Sequence, residues 1–333
     1  MSLIAGRSGL ALAASLLCAA AHPAHAESFA LAPGQQLVGA VGEYVTQEED
    51  TLLDVARNHD LGYAQLMTVN SGIDPWLPGA GRQVSIPSFY LLPPGPRKGI
   101  VIDLAAQRLY YFPADGKTVE SFPIGTGAEA GMTPRGTTKV IQKIPNPAWY
   151  PPASIRKERP ELPGRVPPGP DNPLGAYALR LGWTSYLIHG SNQEFGVGRN
   201  VSHGCIRLYS FDIDRLFHEV PLGTPVRVID QDMRFAWVDG ELYLAMAPSH
   251  AQIDEISENR PMTAALPKDF EKRVAEAAGD QAGRIDWAKV HLIGEIRPGM
   301  AIAITTPADA PSNAMAPSLD AAPGADVIPS GGG

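Results

Sequence analysis

The sequence predicts a mainly β, α+β protein in which a mixed β-sheet domain, residues 98–230, carries one prominent helix. Two patterns indicate this class. Short apolar runs separated by Gly, Pro and Asp turn signals follow one another through the region, which is typical of β-hairpins. Near its end, apolar residues recur at the i, i+3, i+4, i+7 spacing of a helix with one buried face: Ile213, Leu216, Phe217 and Val220.

Residues 1–26 are typical of a secretory signal peptide. Arg7 supplies a positive charge, the stretch 9–21 is apolar, and small residues stand where a signal peptidase reads, in "AHA". Cleavage after Ala26 would remove Cys18, one of the two cysteines of the chain. We therefore expect an exported, periplasmic protein without an internal disulfide, whose stability comes from buried apolar area.

Residues 41–88 follow the order strand, helix, helix, strand. The pattern lies in "YVTQEEDTLLDVA", "LMTVN" and "LPGAGRQVSIP". It resembles a LysM module, although Glu49-Asp50 stands where that family usually has Gly-Asp. The resemblance implies binding of glycan strands, and a packing domain without a ligand is the alternative. The Pro/Gly-rich stretch 89–97 is interpreted as a linker, so the module is expected to act as a tether outside the chemistry.

The remaining composition limits the partners. A formal net charge of −8 disfavours nucleic acid and anionic membranes as binding partners, because like charges repel. After the signal peptide, no stretch has the roughly 18 uninterrupted apolar residues of a membrane-spanning helix. Residues 231–305 are predicted to form a small C-terminal subdomain that begins with a hairpin in "FAWVDGELYLAM". Residues 306–333 are too poor in apolar side chains to fold and are predicted to be a disordered tail.

The segment 143–175 is rich in proline and has no periodic apolar pattern. A loop of this length inside a compact domain is either disordered or functional. Because Trp149 and Tyr150 would be poorly placed in a disordered linker, we interpret the segment as an ordered flap over a site, with both residues contacting substrate. A surface excursion whose aromatic residues fill the local core is the alternative.

Two short motifs carry the predicted chemistry. "YLIHG" places His189 at the end of a strand, and "VSHGCIRL" brings together His203, Cys205 and Arg207. An imidazole beside a thiol takes its proton and lowers its pKa, which makes the thiol a nucleophile. Gly204 lets the backbone pass close to a substrate, and successive N–H groups around Cys205 can face an oxyanion. Arg207 offers donors suited to a carboxylate. These features serve acyl transfer through a thioester.

Two other interpretations of these residues stay open. His189, His203 and Cys205 are ligand types for zinc, but the His-x-Cys spacing is unusual and no fourth ligand stands out. Cys205 is alternatively a buried structural cysteine, although its His, Gly and Arg neighbours are not those of a core. We expect no metal and no cofactor.

The order of "IHG" and "SHGCIRL" resembles the YkuD-type L,D-transpeptidases. Further matches, including "VIDLAAQRLYYFP", "FPIGTG" and "GTPVRVID", extend over about residues 98–230, and "GPDNPLG" points to the ErfK/YbiS-like branch. The resemblance implies a mostly β domain with one prominent helix. It also implies that Cys205 is the nucleophile and His189 the general base, whose imidazole is oriented by the Gly190 carbonyl. Ser202, His203 and Gly204 would shape the oxyanion site, and His203 is alternatively a second proton relay. Arg207 would hold the loop or a substrate carboxylate.

The substrate that the resemblance implies is peptidoglycan. Cys205 would attack the L-centre carbonyl before the terminal D-Ala of a tetrapeptide stem, release D-Ala and pass the acyl group to an amine. The acceptor stays open between diaminopimelate, which gives a 3→3 cross-link, a lysine of an outer-membrane lipoprotein or barrel protein, and water, which gives L,D-carboxypeptidase activity. A catalytically silent peptidoglycan-binding wall protein and a zinc hydrolase are the alternative functions.

Overall fold

The structure, a computed structural model, describes residues 27–128 and 133–306. The predicted signal peptide and residues 307–333 of the predicted tail lie outside the described residues. The first residue of that tail, Thr306, belongs to the fold, because its backbone N–H donates a hydrogen bond to Arg284 O at 3.0 Å. Within the described ranges, no helix is long and apolar enough to cross a membrane.

These ranges contain sixteen strands, seven α-helices and two 3₁₀ turns. The strands are β1 (Glu27–Ala30), β2 (Leu37–Val45), β3 (Gln83–Leu91), β4 (Gly99–Asp103), β5 (Arg108–Phe112), β6 (Thr118–Pro123), β7 (Thr126–Gly127), β8 (Gly136–Pro145), β9 (Tyr177–Leu181), β10 (Leu187–His189), β11 (Asn200–Ser202), β12 (Ile206–Arg207), β13 (Pro225–Ile229), β14 (Met233–Val238), β15 (Glu241–Met246) and β16 (Ala301–Ala303). The helices are α1 (Leu52–Asn58), α2 (Tyr63–Val69), α3 (Ala153–Glu158), α4 (Ser210–Glu219), α5 (His250–Ser257), α6 (Phe270–Ala278) and α7 (Trp287–Ile296), and the 3₁₀ turns are Glu194–Gly196 and Gly279–Arg284.

A nine-stranded sheet in the described part of the chain positions the predicted site. Its order is β1-β6-β5-β4-β13-β8-β9-β10-β12. Neighbours are antiparallel except where β4 meets β13 and where β10 meets β12. The sheet is therefore mixed, and one of its edges is formed by β10 and β12, the strands next to the predicted catalytic residues.

Helix α4 packs against this sheet, as the spacing of its apolar residues predicted. Ile213 and Leu216 are buried together with Ile188 of β10 and Ile206 of β12 in one hydrophobic cluster. Removing an aliphatic side chain of this size from water stabilises a fold by about 1.5–3 kcal/mol. The cluster thereby holds in place the two strands that border the site.

The N-terminal region follows the predicted order of strand, helix, helix and strand in β2, α1, α2 and β3; we call residues 37–91 the N-terminal unit. β2 pairs antiparallel with β3 along its whole length. The linker interpretation of 89–97 is wrong for its first residues, because 89–91 belong to β3 and Leu92 is buried beside Val101 of the central sheet. Pro and Gly indicate a turn, but they do not reveal what the chain beside them packs against. That the unit is a LysM module stays a prediction.

Buried polar contacts join the N-terminal unit to the sheet domain, which the tether interpretation did not anticipate. The buried Arg108 guanidinium donates to Asp60 O at 3.2 Å and lies 4.1 Å from the centre of the Tyr90 ring. The backbone N–H of Tyr63 donates to Val197 O at 3.2 Å. Because a buried guanidinium is costly unless its donors are used, these contacts hold the two parts in one arrangement.

Two carboxyl groups, Asp60 and Asp212, are buried at this interface. Burial raises the pKa of Asp60 to about 6, although the charge of Arg108 opposes the shift. Burial and then the neighbouring Asp60 carboxyl raise the pKa of Asp212 well above its usual range. The folded protein therefore binds protons here that the unfolded chain releases above about pH 4.

We expect Asp212→Asn to stabilise the protein at pH 8 and much less at pH 5. Both acids have a raised pKa in the folded state, so their contribution to the free energy of unfolding is present below about pH 4. That of Asp60 is lost as the pH rises through about 6, and that of Asp212 as the pH rises through its own raised pKa. An uncharged amide removes the cost of ionising the buried group, so the Tm should rise by a few degrees at pH 8.

Thermal unfolding at both pH values tests this expectation. Asp214→Asn is the matched control, because Asp214 is an exposed acid of the same helix. A Tm for Asp212→Asn that falls at pH 8 would show instead that the ionised Asp212 carboxylate stabilises the fold.

The predicted C-terminal subdomain, residues 231–305, contains an antiparallel sheet in the order β14-β15-β16 that packs with α6 and α7. The hairpin of β14 and β15 lies where the sequence predicted it. Helix α5 packs instead on the N-terminal unit through Ile253 and Ile256. The Asn200 side chain of β11 donates to Asp254 Oδ1 of α5 at 2.9 Å. The region thus braces both the N-terminal unit and the strand that leads into the cysteine loop.

Candidate active site

The parallel pair of β10 and β12 brings the histidine and the cysteine loop together. Ile188 lies opposite Ile206, and His189 opposite Arg207, so Cys205 comes beside the start of β10. Neighbouring strands are about 4.8 Å apart, and residues two apart on a strand share a face. His189 and Arg207 therefore lie side by side at this sheet edge, and Cys205 directly precedes β12.

His189 is oriented and uncharged. Its side chain is buried, with 4% of its surface exposed, and Nδ1 lies 2.6 Å from Gly190 O. Because a carbonyl oxygen only accepts, Nδ1 carries the proton and Nε2 keeps a free lone pair. Burial first, and then the charge of Arg207, lower the pKa of His189 to about 4, against the effect of the Gly190 carbonyl. At neutral pH the imidazole is a base ready to accept a proton.

Cys205 is half-buried and rests as a thiol. Burial raises the pKa of the Cys205 thiol, and the Leu187 backbone amide and the Arg207 charge oppose this only in part. Its Sγ lies 3.6 Å from Ser185 O. A neutral thiol beside a neutral imidazole is a general-base arrangement, in which the proton moves only when the sulfur attacks, rather than a preformed ion pair.

The loop before the cysteine is held by Ser202. Ser202 Oγ accepts from the Gly204 N–H at 3.1 Å and donates to Cys205 O at 2.6 Å. Gly204 has a φ of 99°, in a region that side-chain-bearing residues rarely adopt. Since the Gly204 N–H is used by Ser202, the backbone amide of Cys205 is the next donor beside its own sulfur.

Thr133 also fixes this loop, and the sequence analysis assigned it no role. Thr133 Oγ1 is buried and donates to Gly204 O at 2.8 Å. The two residues are far apart in the chain, and a threonine after a glycine-rich turn has no spacing that would reveal such a contact.

His203 lies on the other side of the loop and faces the flap. Its Nε2 is 3.3 Å from Glu158 Oε2 at the end of α3. No group of three or more His, Cys, Asp or Glu side chains in the described ranges is placed to hold a metal ion. His203, one of the three residues considered as zinc ligands, instead faces the Glu158 carboxylate of the flap.

Both the backbone and the side chain of Arg207 contact glycines of neighbouring segments. Its backbone N–H donates to Gly125 O at 3.0 Å, and its carbonyl accepts from the Gly125 N–H at 2.8 Å. The guanidinium packs so closely on Gly196 that a side chain there would collide with it. This position supports a role in holding the loop and in acting through its charge on His189 and Cys205.

The segment 143–175 is an ordered structure. Trp149 and Val166 exchange two backbone hydrogen bonds at 2.9 and 2.8 Å, and the buried Asn172 side chain donates to Pro147 O at 2.8 Å. The short helix α3 within it was missed, because its sequence has no apolar periodicity. Tyr150 is 65% exposed, so it does not fill the local core as the alternative proposed.

The flap also touches the segment after the histidine. Gly175, at φ 67°, passes so close to Gly190 and Ser191 that an added Cβ would lie 2.9 Å from Ser191 N. With the pair of Glu158 and His203, the flap contacts both the segment after His189 and the loop before Cys205. Trp149, which precedes both of these contacts in the chain, is half-buried.

Comparison with known proteins agrees with this geometry. Residues 97–228 match the YkuD family, described as the L,D-transpeptidase catalytic domain. The probable L,D-transpeptidase ErfK/SrfK of Escherichia coli K12 is 43% identical over 65% of this chain and 72% of that protein. The probable L,D-transpeptidases YcfS and YbiS of the same organism are each 42% identical, over 65% and 63% of this chain and 71% of either protein. The solved L,D-transpeptidase from Mycobacterium smegmatis is 24% identical, with a TM-score of 0.32 over 45% of this chain and 64% of that one.

Proposed function

The chain belongs to the YkuD-type L,D-transpeptidases, in their ErfK/YbiS-like branch, and on that premise we propose that Cys205 carries the acyl group of a peptidoglycan stem. The observation that carries the proposal is His189, neutral, oriented by Gly190 O and in register beside the cysteine loop. A transpeptidase of this kind needs a base that is unprotonated at neutral pH and fixed toward the thiol.

Acylation begins when the substrate carbonyl enters the space above the loop. Cys205 Sγ turns from Ser185 O and attacks the L-centre carbonyl, while its proton passes to His189 Nε2. The tetrahedral oxyanion lies near the Cys205 N–H, within the loop that Ser202 holds. The intermediate collapses when the amine of D-Ala leaves with the proton from His189, and a thioester remains.

Deacylation repeats these steps in reverse with a different amine. The incoming amine attacks the thioester carbonyl and gives its proton to His189. Cys205 leaves as a thiolate and takes that proton back. We propose an amine as the natural acceptor, either diaminopimelate of a second stem or a lysine of an outer-membrane protein. The ordered flap supports this choice, since a covered thioester meets less water.

The proposed location is the periplasm. The signal-peptide pattern of residues 1–26 and the position of peptidoglycan outside the inner membrane support it. A fusion of the full chain to alkaline phosphatase, which is active only after export, measures it directly. A fusion that is inactive while the protein accumulates would contradict export.

The proposed reaction is tested by intact mass after incubation with a disaccharide-tetrapeptide. The mass should rise by that of the substrate less D-Ala, and D-Ala should appear in solution. Addition of a second stem peptide should convert the adduct to a cross-linked dimer, whereas a free tripeptide product would identify water as the acceptor. If neither an adduct nor D-Ala is detected while the protein still sediments with sacculi, the chain is a silent wall-binding protein.

Trp149→Ala should raise the ratio of hydrolysis to transpeptidation. Trp149 anchors the flap through its two backbone bonds to Val166, and its half-buried indole is the bulkiest group of the segment. Removing the indole opens the cover of the thioester, so water competes better with the amine. Chromatography of tripeptide and dimer products measures the ratio. Trp287→Ala, which removes a half-buried indole of the C-terminal subdomain, is the control. An unchanged product ratio in Trp149→Ala would refute the covering role.

A further inference from the structure

A second cleft lies between the N-terminal unit and the catalytic domain. Its volume is about 500 Å³. One wall comes from α1 and the segment after α2, with Arg57 and Trp76, and the other comes from the segment after His189, with Glu194 and Phe195. Among the described residues, His189, Cys205 and Arg207, which we assign to the thioester chemistry, do not line this cleft. Clefts at domain boundaries are frequent ligand sites.

Each wall presents an exposed aromatic ring. Trp76 is 57% exposed and Phe195 is 53% exposed, although rings of this size are usually covered. The turn that carries Trp76 is already ordered, because Asp74 Oδ1 accepts from the Trp76 N–H at 2.8 Å. Two rings on opposite walls of one cleft offer flat surfaces for the C–H faces of pyranose rings.

The charged groups that line the cleft already have partners. Arg57 of the N-terminal unit forms an ion pair with Glu194 of the catalytic domain. Glu194 also accepts from the Ser210 N–H at 2.8 Å, and Asp54 accepts from the Thr51 hydroxyl at 2.6 Å. Among the described residues that line the cleft, the Arg57 cation is paired with Glu194, and the remaining Asp54 carboxylate repels the anionic end of a stem peptide. An uncharged polyhydroxyl ligand fits these groups best.

The two walls are held in a fixed relation to each other and to the site. Val197 O and Gly198 O accept from the backbone N–H groups of Tyr63 and Ala64, each at 3.2 Å. The segment that bears Phe195 follows directly from Gly190, whose carbonyl orients the catalytic imidazole. A chain bound in this cleft is thus placed at a set position relative to Cys205.

We propose that this cleft binds a neutral saccharide chain, with Trp76 and Phe195 stacking on successive sugar rings. The inference rests on the proposed function, because it takes peptidoglycan as the substrate. It assigns half of the glycan site to the catalytic domain. The N-terminal unit then orients the glycan strand for the reaction, rather than only raising its local concentration.

Calorimetric titration of the full mature protein with N-acetylglucosamine tetramer, which has no stem peptide, tests the proposal. We expect saturable binding that Trp76→Ala and Phe195→Ala each weaken about tenfold or more, because each substitution removes a flat face on which a sugar ring packs. Phe195→Tyr should retain binding and Phe195→Leu should lose it, because a face of π-electrons is needed and not only apolar volume. Leu222→Ala, at a residue 64% exposed outside the cleft, should leave the affinity unchanged.

Three results would overturn the proposal. One is absence of saturable binding, and another is weakening by Trp76→Ala alone, which would place the glycan on the N-terminal unit only. The third is tighter binding of a free stem peptide that both substitutions weaken. Thermal unfolding of each variant separates loss of binding from loss of fold. Carbapenem acylation of the unmodified protein reports on the proposed function separately, so its failure is distinguishable from failure of the cleft.

Discussion

Cys205→Ala is expected to abolish the covalent adduct that the protein forms with a carbapenem. Cys205 is the one cysteine of the chain after residue 26, and its loop is held by Ser202 and Thr133 at the edge of the sheet beside His189. Without the sulfur there is no nucleophile, so the intact mass should stay that of the free protein. The expected effect is complete loss rather than a reduced rate.

Cys205→Ser is the informative companion variant. A hydroxyl gives up its proton much less readily than a thiol, and His189, with a pKa of about 4, is a weak base for it. We expect the serine variant to fold with an unchanged Tm and to acylate at least 100-fold more slowly, on the order of a lost general-base contribution. An adduct that persists in Cys205→Ala would show that another side chain is acylated.

His189→Ala is expected to slow acylation by about 10²–10⁴-fold, and His203→Ala much less. The structural difference between the two residues is the reason. His189 is buried, with Nδ1 on Gly190 O, whereas the exposed His203 ring faces Glu158 of the flap. Stopped-flow acylation by a carbapenem measures both rates. His218→Ala, at an exposed position of α4, is the control.

The pH dependence of acylation gives a second test of the same role. The base acts in its neutral form, so activity is present above the pKa of His189 and is lost as the pH falls through it. Because burial and Arg207 lower that pKa to about 4, the acid limb of the rate should lie near pH 4 and not near the ordinary value of about 6.5. A limb near 6.5 would show that burial does not lower the pKa of His189, and a larger loss in His203→Ala than in His189→Ala would exchange the roles of the two histidines.

Much of the site was predictable because its signals are local. The i, i+3, i+4, i+7 spacing predicted helix α4, since a helix with a 3.6-residue period buries one face. "SHGC" and the upstream "IHG" predicted acyl transfer, because a thiol that forms thioesters needs a base and a tight loop beside it, and the resemblance of these motifs to known ones predicted the family. The sequence also predicted the order of strand, helix, helix and strand in the N-terminal unit, from short apolar runs and turn residues.

Only the tertiary structure determined what depends on residues far apart in the chain. Burial by distant strands and the charge of Arg207 lower the pKa of His189, and no motif reports burial. The sequence suggested a flexible tether at 89–97, yet β3 extends into that stretch and Arg108 joins the two parts. The cleft between Trp76 and Phe195 exists only because those parts are packed together. By itself, then, the sequence determined the family and predicted the reacting groups, since both depend on short motifs of residues close together in the chain. The protonation of those groups, the contacts of His203 and the walls of the cleft depend on packing between segments that the chain order does not reveal.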